Sequence, residues 1–229
     1  MLSGIDVSHW EGTIDWKTVA SSGYKFVYTK ATESTTYTDD TLVPNVSGAA
    51  SVGIPIGAYH FYRLAVDPKA QADFFLSKIK GLQLELPPSL DFEEQTNIAP
   101  ATVAKSLKTW LDIVEAAVGR KPIIYTSAYF WNTFVGTPSW ADDYGLWVAN
   151  YTAAPAPLLP KPWKNYLFWQ YTDKGAVPGI SGDVDMNRYA GTEEDLAALA
   201  GRQFIHVPTL EERVQALEEQ VKALQAALK

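Results

Sequence analysis

Short apolar runs alternate along the chain with stretches whose apolar residues recur every three or four positions. The runs at 4–7, 25–29, 55–61, 88–92, 122–126, 146–149 and 166–171 read as strands. Most are apolar on successive residues, as expected of strands covered on both faces in a parallel sheet. Between them, 67–79 places Ala72, Phe75, Leu76 and Ile79 on one helical face. The stretch 100–118 opens on Pro100 and carries Val103, Leu107, Trp110, Leu111 and Val114 at helical spacing. Repeated βα units argue for a parallel sheet, closed into a barrel or left open. Beyond about residue 140 the connections turn proline-rich, as at 153–162, and the alternation decays.

The last stretch, from Val207 onward, lacks glycine and aromatic residues. Pro208 and Thr209-x-x-Glu212 read as a helix start with a capping box. Leu210, Val214, Leu217, Val221, Leu224 and Leu228 then recur at alternating spacings of four and three, a heptad seam. Arg213 at a g position could reach Glu218 at e of a parallel partner, and Glu218 with Lys222 is a favourable i,i+4 pair. The chain therefore divides into a barrel-forming part, 1–206, and a heptad helix, 207–229. That helix is expected to pair with a second copy, a dimer being the preferred number; folding back onto the barrel is the alternative.

Composition narrows the functional classes. A net charge of −7 without a basic cluster disfavours nucleic acid and anionic membranes as partners. The absence of cysteine removes thiol catalysis and thiolate metal sites. No run of 18 apolar residues is present, and the first residues carry no secretory-signal pattern. His9, His60 and His206 are scattered without metal-ligand spacing, so each is expected to be structural and no metal is expected. The chain is unusually aromatic, with 8 Trp, 12 Tyr and 9 Phe.

The segment Pro87-Pro-Ser-Leu-Asp-Phe-Glu-Glu94 carries the clearest chemistry. On a strand, Asp91 and Glu93 project to the same side, with α-carbons roughly 6.5 Å apart at about 3.3 Å per residue. Two carboxyls at the carboxyl end of a parallel strand suit glycoside hydrolysis, in which one must be a protonated acid. Their proximity helps, since like charges push one pKa upward. A solvated rim or a metal site is the competing reading of this motif alone. Asp6 ends the first apolar run, and Asp185 follows the last. In a closed barrel the first and last strands are neighbours, so both could converge on Asp91 and Glu93. Aromatic residues near other strand ends, Tyr59, Tyr62, Tyr125, Trp147, Trp169 and Tyr171, would line such a pocket or form core.

These segments resemble, in order, the motifs of glycoside hydrolase family 25, the Chalaropsis-type lysozymes. The matching pieces are Gly4-Ile-Asp-Val-Ser8, Lys30-Ala-Thr-Glu33, Gly57-Ala-Tyr-His-Phe61, Leu90-Asp-Phe-Glu93, Ile124-Tyr-Thr-Ser127, Leu146-Trp-Val-Ala149, Phe168-Trp-Gln-Tyr171 and Val184-Asp-Met-Asn187. The resemblance implies an irregular TIM-like (β/α)5(β)3 barrel, here followed by a C-terminal coiled-coil helix. It implies cleavage of the β-1,4 bond between N-acetylmuramic acid and N-acetylglucosamine in peptidoglycan, without a cofactor. It assigns Glu93 as general acid and Asp91 as nucleophile or as the group orienting the substrate's 2-acetamido oxygen. Asp6 and Asp185 become the supporting carboxyls, and Tyr62, Tyr125 and Trp169 substrate contacts. It also implies an enzyme of the phage-endolysin kind, made in the host cytoplasm and acting on the wall after release, or one secreted with its signal trimmed. An inactive glycan-binding barrel and a chitinase-like glycosidase are the alternatives. Where the family often has Gln, this chain has Glu11, an added charge near the cleft.

Overall fold

The structure, a computed structural model, describes residues 1–203 and 210–227. Seven parallel strands follow one another around a barrel: β1 (Leu2–Val7), β2 (Phe26–Glu33), β4 (Ile56–Phe61), β5 (Ser89–Asp91), β6 (Ile123–Ser127), β7 (Gly145–Ala149) and β8 (Phe168–Gly175). An eighth, β9 (Val184–Tyr189), runs antiparallel to both β8 and β1, and β1 pairs with β2 to close the ring. A two-residue strand, β3 (Tyr37–Thr38), hangs from the end of β2. The first half carries covering helices: α1 (Trp16–Ser21), α2 (Leu42–Ser51), α3 (Pro68–Ile79), α4 (Pro100–Val118) and α5 (Ala128–Phe134). Among the described residues no helix lies between β7, β8 and β9, which matches the decaying alternation.

The two helices legible in the sequence form as expected. Asp67 caps α3 by accepting from the Ala70 amide, and Ala72, Phe75 and Ile79 are buried. Pro100 opens α4, Gly119 in the left-handed region (φ 72°) ends it, and its apolar stripe is buried. The strand expected at 166–171 extends instead to Gly175, and β9 lacks the continuous apolar run that marks the other strands.

Two apolar layers share each strand by alternation. Outward residues such as Ile5, Val27, Leu90, Phe92, Ile124 and Val148 join the helices in one core. Inward residues Phe26, Tyr28, Ile123, Trp147, Phe168 and Tyr189 fill the barrel, joined from below by Leu196 and Ala200 at the end of the chain's sixth helix, α6 (Glu193–Leu199). Glycine makes this filling possible at two points. A Cβ on Gly4 would collide with the Phe26 ring, and one on Gly57 with the Tyr28 ring. Arg202, just past α6, ties that end to the barrel through Glu85 and the Gly53 carbonyl.

The final helix, α7 (Leu210–Ala227), spans the heptad stretch. Its seam residues Leu210, Val214, Leu217 and Val221 are exposed. The capping box at Thr209, the expected boundary at 206/207, His206 and Leu228 lie outside the described residues. Among the described residues no helix is long and apolar enough to cross a membrane.

Candidate active site

At the carboxyl ends of the parallel strands the inward residues change character. Asp6 on β1, Lys30 on β2, Tyr59 and Phe61 on β4, Asp91 and Glu93 at and just past β5, Tyr125 on β6, Gln170 on β8 and Asp185 on β9 line one cleft. The cavity itself holds about 200 Å³, less than the ~300–1,000 Å³ usual for small-molecule sites, and it opens to solvent at its mouth. All four acidic candidates thus meet in one place, and Phe92 between Asp91 and Glu93 turns outward into the helix-facing core.

Asp6 and Asp185 sit directly opposite each other in the antiparallel register of β1 and β9, and their carboxyls hydrogen bond. Asp6 Oδ2 also accepts from Asn187 Nδ2 at 2.6 Å and from Gln170 Nε2 at 3.0 Å. Those amides are themselves oriented. Gln170 Oε1 accepts from the hydroxyls of Tyr125 and Tyr151, each at 2.7 Å, and Asn187 Oδ1 accepts from the Trp147 indole at 2.7 Å. Neither amide can turn over without losing these donors, so two N–H groups are committed to Asp6.

Burial dominates the protonation of all four carboxyls. Asp6 is pushed well up by burial and then by the charge of Asp185. Burial raises Asp185 to about 6, with its bond to Asp6 opposing. Glu93 rises to about 7, through burial first and the charge of Asp185 second, while Lys30 and Arg63 pull it down. Asp91 is held well above the ordinary range by burial and then by Glu93, and its Oδ1 is buried without a hydrogen-bond partner. Near neutral pH this cluster therefore keeps protons that exposed carboxyls would have lost.

The nearby cations stand at one side. Lys30 Nζ donates to Glu33 Oε2 at 2.8 Å, and Arg63 grips Glu33 Oε1 through Nε and a terminal nitrogen at 2.9 and 2.6 Å. Glu33 so absorbs much of both positive charges, leaving the cleft net acidic. Glu11 does line the cleft, folded back in a capping box that takes the Ser8 amide at 2.6 Å.

Of the three expected aromatic contacts, only Tyr125 faces the cleft. Trp169 lies between inward Phe168 and inward Gln170, so alternation turns it out; its indole donates to the Asn150 carbonyl at 2.8 Å. Tyr62 lies just beyond β4, buried, with its hydroxyl on Ser106 of α4 at 2.7 Å. Its amide donates to the Asp91 carbonyl at 2.9 Å, so it braces the backbone that carries the acids. His60 is structural as expected: buried, bonded to Thr32 and Gln71, and stacked on Trp110. Gln170, Asn187 and Tyr151 belong to the hydrogen-bond network around Asp6, and none is among the expected site residues. A lone Gln beside Phe168 and Trp169 in a buried strand is costly unless paired, the same signal that marks Asp6.

A family model described as "Glycosyl hydrolases family 25" matches residues 5–180. The chain belongs to that family. It is 41% identical over 212 residues to Lysozyme M1 of Streptomyces globisporus, an alignment covering 87% of this chain and 71% of that protein. The fold superposes on the bacterial lysozyme from Streptomyces coelicolor with a TM-score of 0.82 at 38% identity, covering 87% of this chain and 96% of that one. A muramidase from Acremonium alcalophilum gives a TM-score of 0.79 at 31% identity, covering 87% and 99%. The barrel of this glycoside hydrolase is thus the lysozyme fold, irregular and poor in helices over β7 to β9, where the sequence alternation decays.

Proposed function

We propose that the chain is a muramidase in which Glu93 is the general acid and Asp91 the group that orients the substrate's 2-acetamido arm. Hydrolysis of peptidoglycan at the bacterial cell wall is the activity of the family and of the lysozymes it aligns with. The observation that carries the residue roles is the pairing, in one cleft, of a Glu93 whose proton persists to about pH 7 with an Asp91 whose Oδ1 has no partner.

The chemistry follows from that pair. Glu93 donates its proton to the glycosidic oxygen as the bond from that oxygen to the anomeric carbon breaks. The acetamido carbonyl oxygen attacks the anomeric carbon, giving an oxazolinium ion. Asp91 takes the acetamido N–H on its free oxygen and holds the arm in place. Water then opens the ring, giving its proton to the Glu93 carboxylate and restoring the starting state. A nucleophilic Asp91 would have to be an anion, whereas an orienting carboxyl can accept an N–H through its carbonyl oxygen even when neutral. Burial, which disfavours the anion at Asp91, therefore favours the orienting role. Asp6 and Asp185 sit beside the pair as further acidic groups, and the Asp185 charge helps keep the proton on Glu93.

Digestion of purified peptidoglycan tests this. New reducing ends should be N-acetylmuramic acid, identified by borohydride labelling and mass spectrometry. N-acetylglucosamine at those ends would reassign the bond cleaved, and no cleavage would return the barrel to a glycan-binding role.

The proposal extends to α7 as a self-association element making a dimer. Its exposed seam residues and the placement of Arg213 and Glu218 at g and e positions support parallel pairing, since an antiparallel pair would set e against e. Two barrels on one stalk would gain avidity on a polymeric wall. Light scattering of the full chain against a chain ending at Arg202 tests it; equal particle masses per chain would remove the stalk. Deployment as a phage endolysin rests on the motif resemblance and is tested by whether lysis from within a producing cell needs a coexpressed membrane pore.

A further inference from the structure

Trp10 is 82% exposed although it lines the cleft that holds the carboxyls. It is the middle residue of a single 3₁₀ turn (His9–Glu11) that follows β1, and that turn is pinned on both sides. Ser8 and Glu11 close a capping box, and the Trp10 amide donates to Ser8 Oγ at 3.3 Å. His9 donates its amide to Asp39 Oδ2 at 3.2 Å, and its Nδ1 sits 2.9 Å from the same oxygen. Asp39 is itself 2% exposed and takes both the amide and the hydroxyl of Thr41. The Tyr37 hydroxyl reaches His9 Nδ1 at 3.0 Å from the other side. The His9 ring lies 4.5 Å from the indole, tilted by 37°, so it backs one side of Trp10 and leaves the other open.

An indole held out into water by a buried aspartate and an anchored histidine is a surface kept ready for something apolar and flat. Its place on the rim of a glycan-cutting cleft names the class. We propose that Trp10 is a sugar platform, stacking on the apolar face of a 2-acetamido pyranose ring of the bound strand, outside the pair joined by the cleaved bond. His9 and Asp39 act as positioning residues for the indole. This rests on the muramidase reading. Trp10 stands on β1's loop while Asp91 and Glu93 stand at and just past the end of β5, separated around the ring by β2 and β4 on the shorter side. A ring on the indole therefore adds binding at a distance from the reacting carbon.

The test uses the full chain and uncrosslinked glycan strands prepared from peptidoglycan. Trp10→Ala should raise KM about tenfold and Trp10→Phe two- to threefold, with kcat within a factor of two in both. His9→Ala should raise KM as well, by less than Trp10→Ala, because the indole remains but loses its backing. In Glu93→Gln protein, whose turnover is too slow to consume the glycan during the reading, saturating glycan should protect tryptophan emission from iodide, and adding Trp10→Ala should abolish that protection. An unchanged KM in Trp10→Ala, or a fall in kcat with KM constant, would overturn the platform. Iodide protection is read without catalysis, so it still decides the platform if no reducing ends appear.

Discussion

The two ends of this barrel are built from the same strands yet solve opposite problems. On β2 the inward residues run Phe26, Tyr28, Lys30; on β8 they run Phe168, Gln170; on β9, read toward the same end, Tyr189, Asn187, Asp185. At the lower end the rings of Phe26, Phe168 and Tyr189 fill the space, Phe26 lying 4.8 Å from Phe168 and Phe168 5.1 Å from Tyr189 between centroids. At the upper end five carboxyls, Glu11 among them, share a cleft with Lys30. The lower end stabilises by burial of apolar area; the upper end keeps protons on its carboxyls because they are buried, and leaves Asp91 Oδ1 unpaired, which costs stability. The contrast teaches that a closed barrel can keep an acidic site with an unpaired oxygen because the aromatic layer beneath fills the barrel and supplies apolar burial.

Glu93→Gln should break the upper end's chemistry while sparing the lower end. Turnover should fall about 10²–10⁴-fold, the scale of removing a general acid. The midpoint of urea unfolding should not fall, since an uncharged isostere suits the buried site. Reducing-end release and a urea titration on the same samples check both. Asp91→Asn should cost about a hundredfold in kcat, because a carboxamide that turns its NH2 toward the acetamido N–H no longer holds the arm in line, with the fold again intact. A loss under threefold would make Asp91 peripheral.

Gly4→Ala probes the reverse. The added methyl meets the Phe26 ring, so stability should drop by about 1–3 kcal/mol, read from urea denaturation. The kcat of the folded fraction should stay within twofold, because Gly4 touches no part of the cleft.

Acidity sharpens the comparison further. The Glu93 pKa is raised in the fold to about 7, so the acid form, and with it kcat/KM, should fall tenfold per pH unit above about 7. The stability linked to that proton is complete below the unfolded value near 4.5 and is lost as pH rises through about 7. His60, in the helix-facing core, has the opposite sign. Its pKa is lowered by burial to about 4, so its contribution is present above 6.5 and is lost as pH falls toward 4. An NMR titration should find its ring neutral at pH 5.5; a midpoint near 6.5 would show a solvated ring.

Much of this architecture is legible in the amino-acid sequence. The Asp91-x-Glu93 pair can be read because alternation alone places both on one face, and α4 because its apolar stripe is long and properly ended. Strand β9 cannot, because its inward residues Asp185 and Asn187 serve the cleft and so invert the usual apolar mark of a buried strand. Trp169 falls outside the cleft it was expected to line because, on a strand, a one-residue error exchanges cleft for core, and Tyr62 because it lies past the end of β4, with its hydroxyl on Ser106. Trp169 sits beside Gln170, the residue that faces the acids. The amide network around Asp6 stays hidden since Asn and Gln carry no charge to draw the eye, although a buried amide is as demanding of partners as a buried acid.

The central claim is that burial among like charges keeps a proton on Glu93 at neutral pH. Carbon-13 titration of side-chain carboxyls in the folded wild type, with Glu93 assigned by its loss in Glu93→Gln, measures this directly. A midpoint near 7 for that resonance is the expected result. A midpoint near the ordinary glutamate value of about 4.3 would contradict it and leave the barrel without its acid.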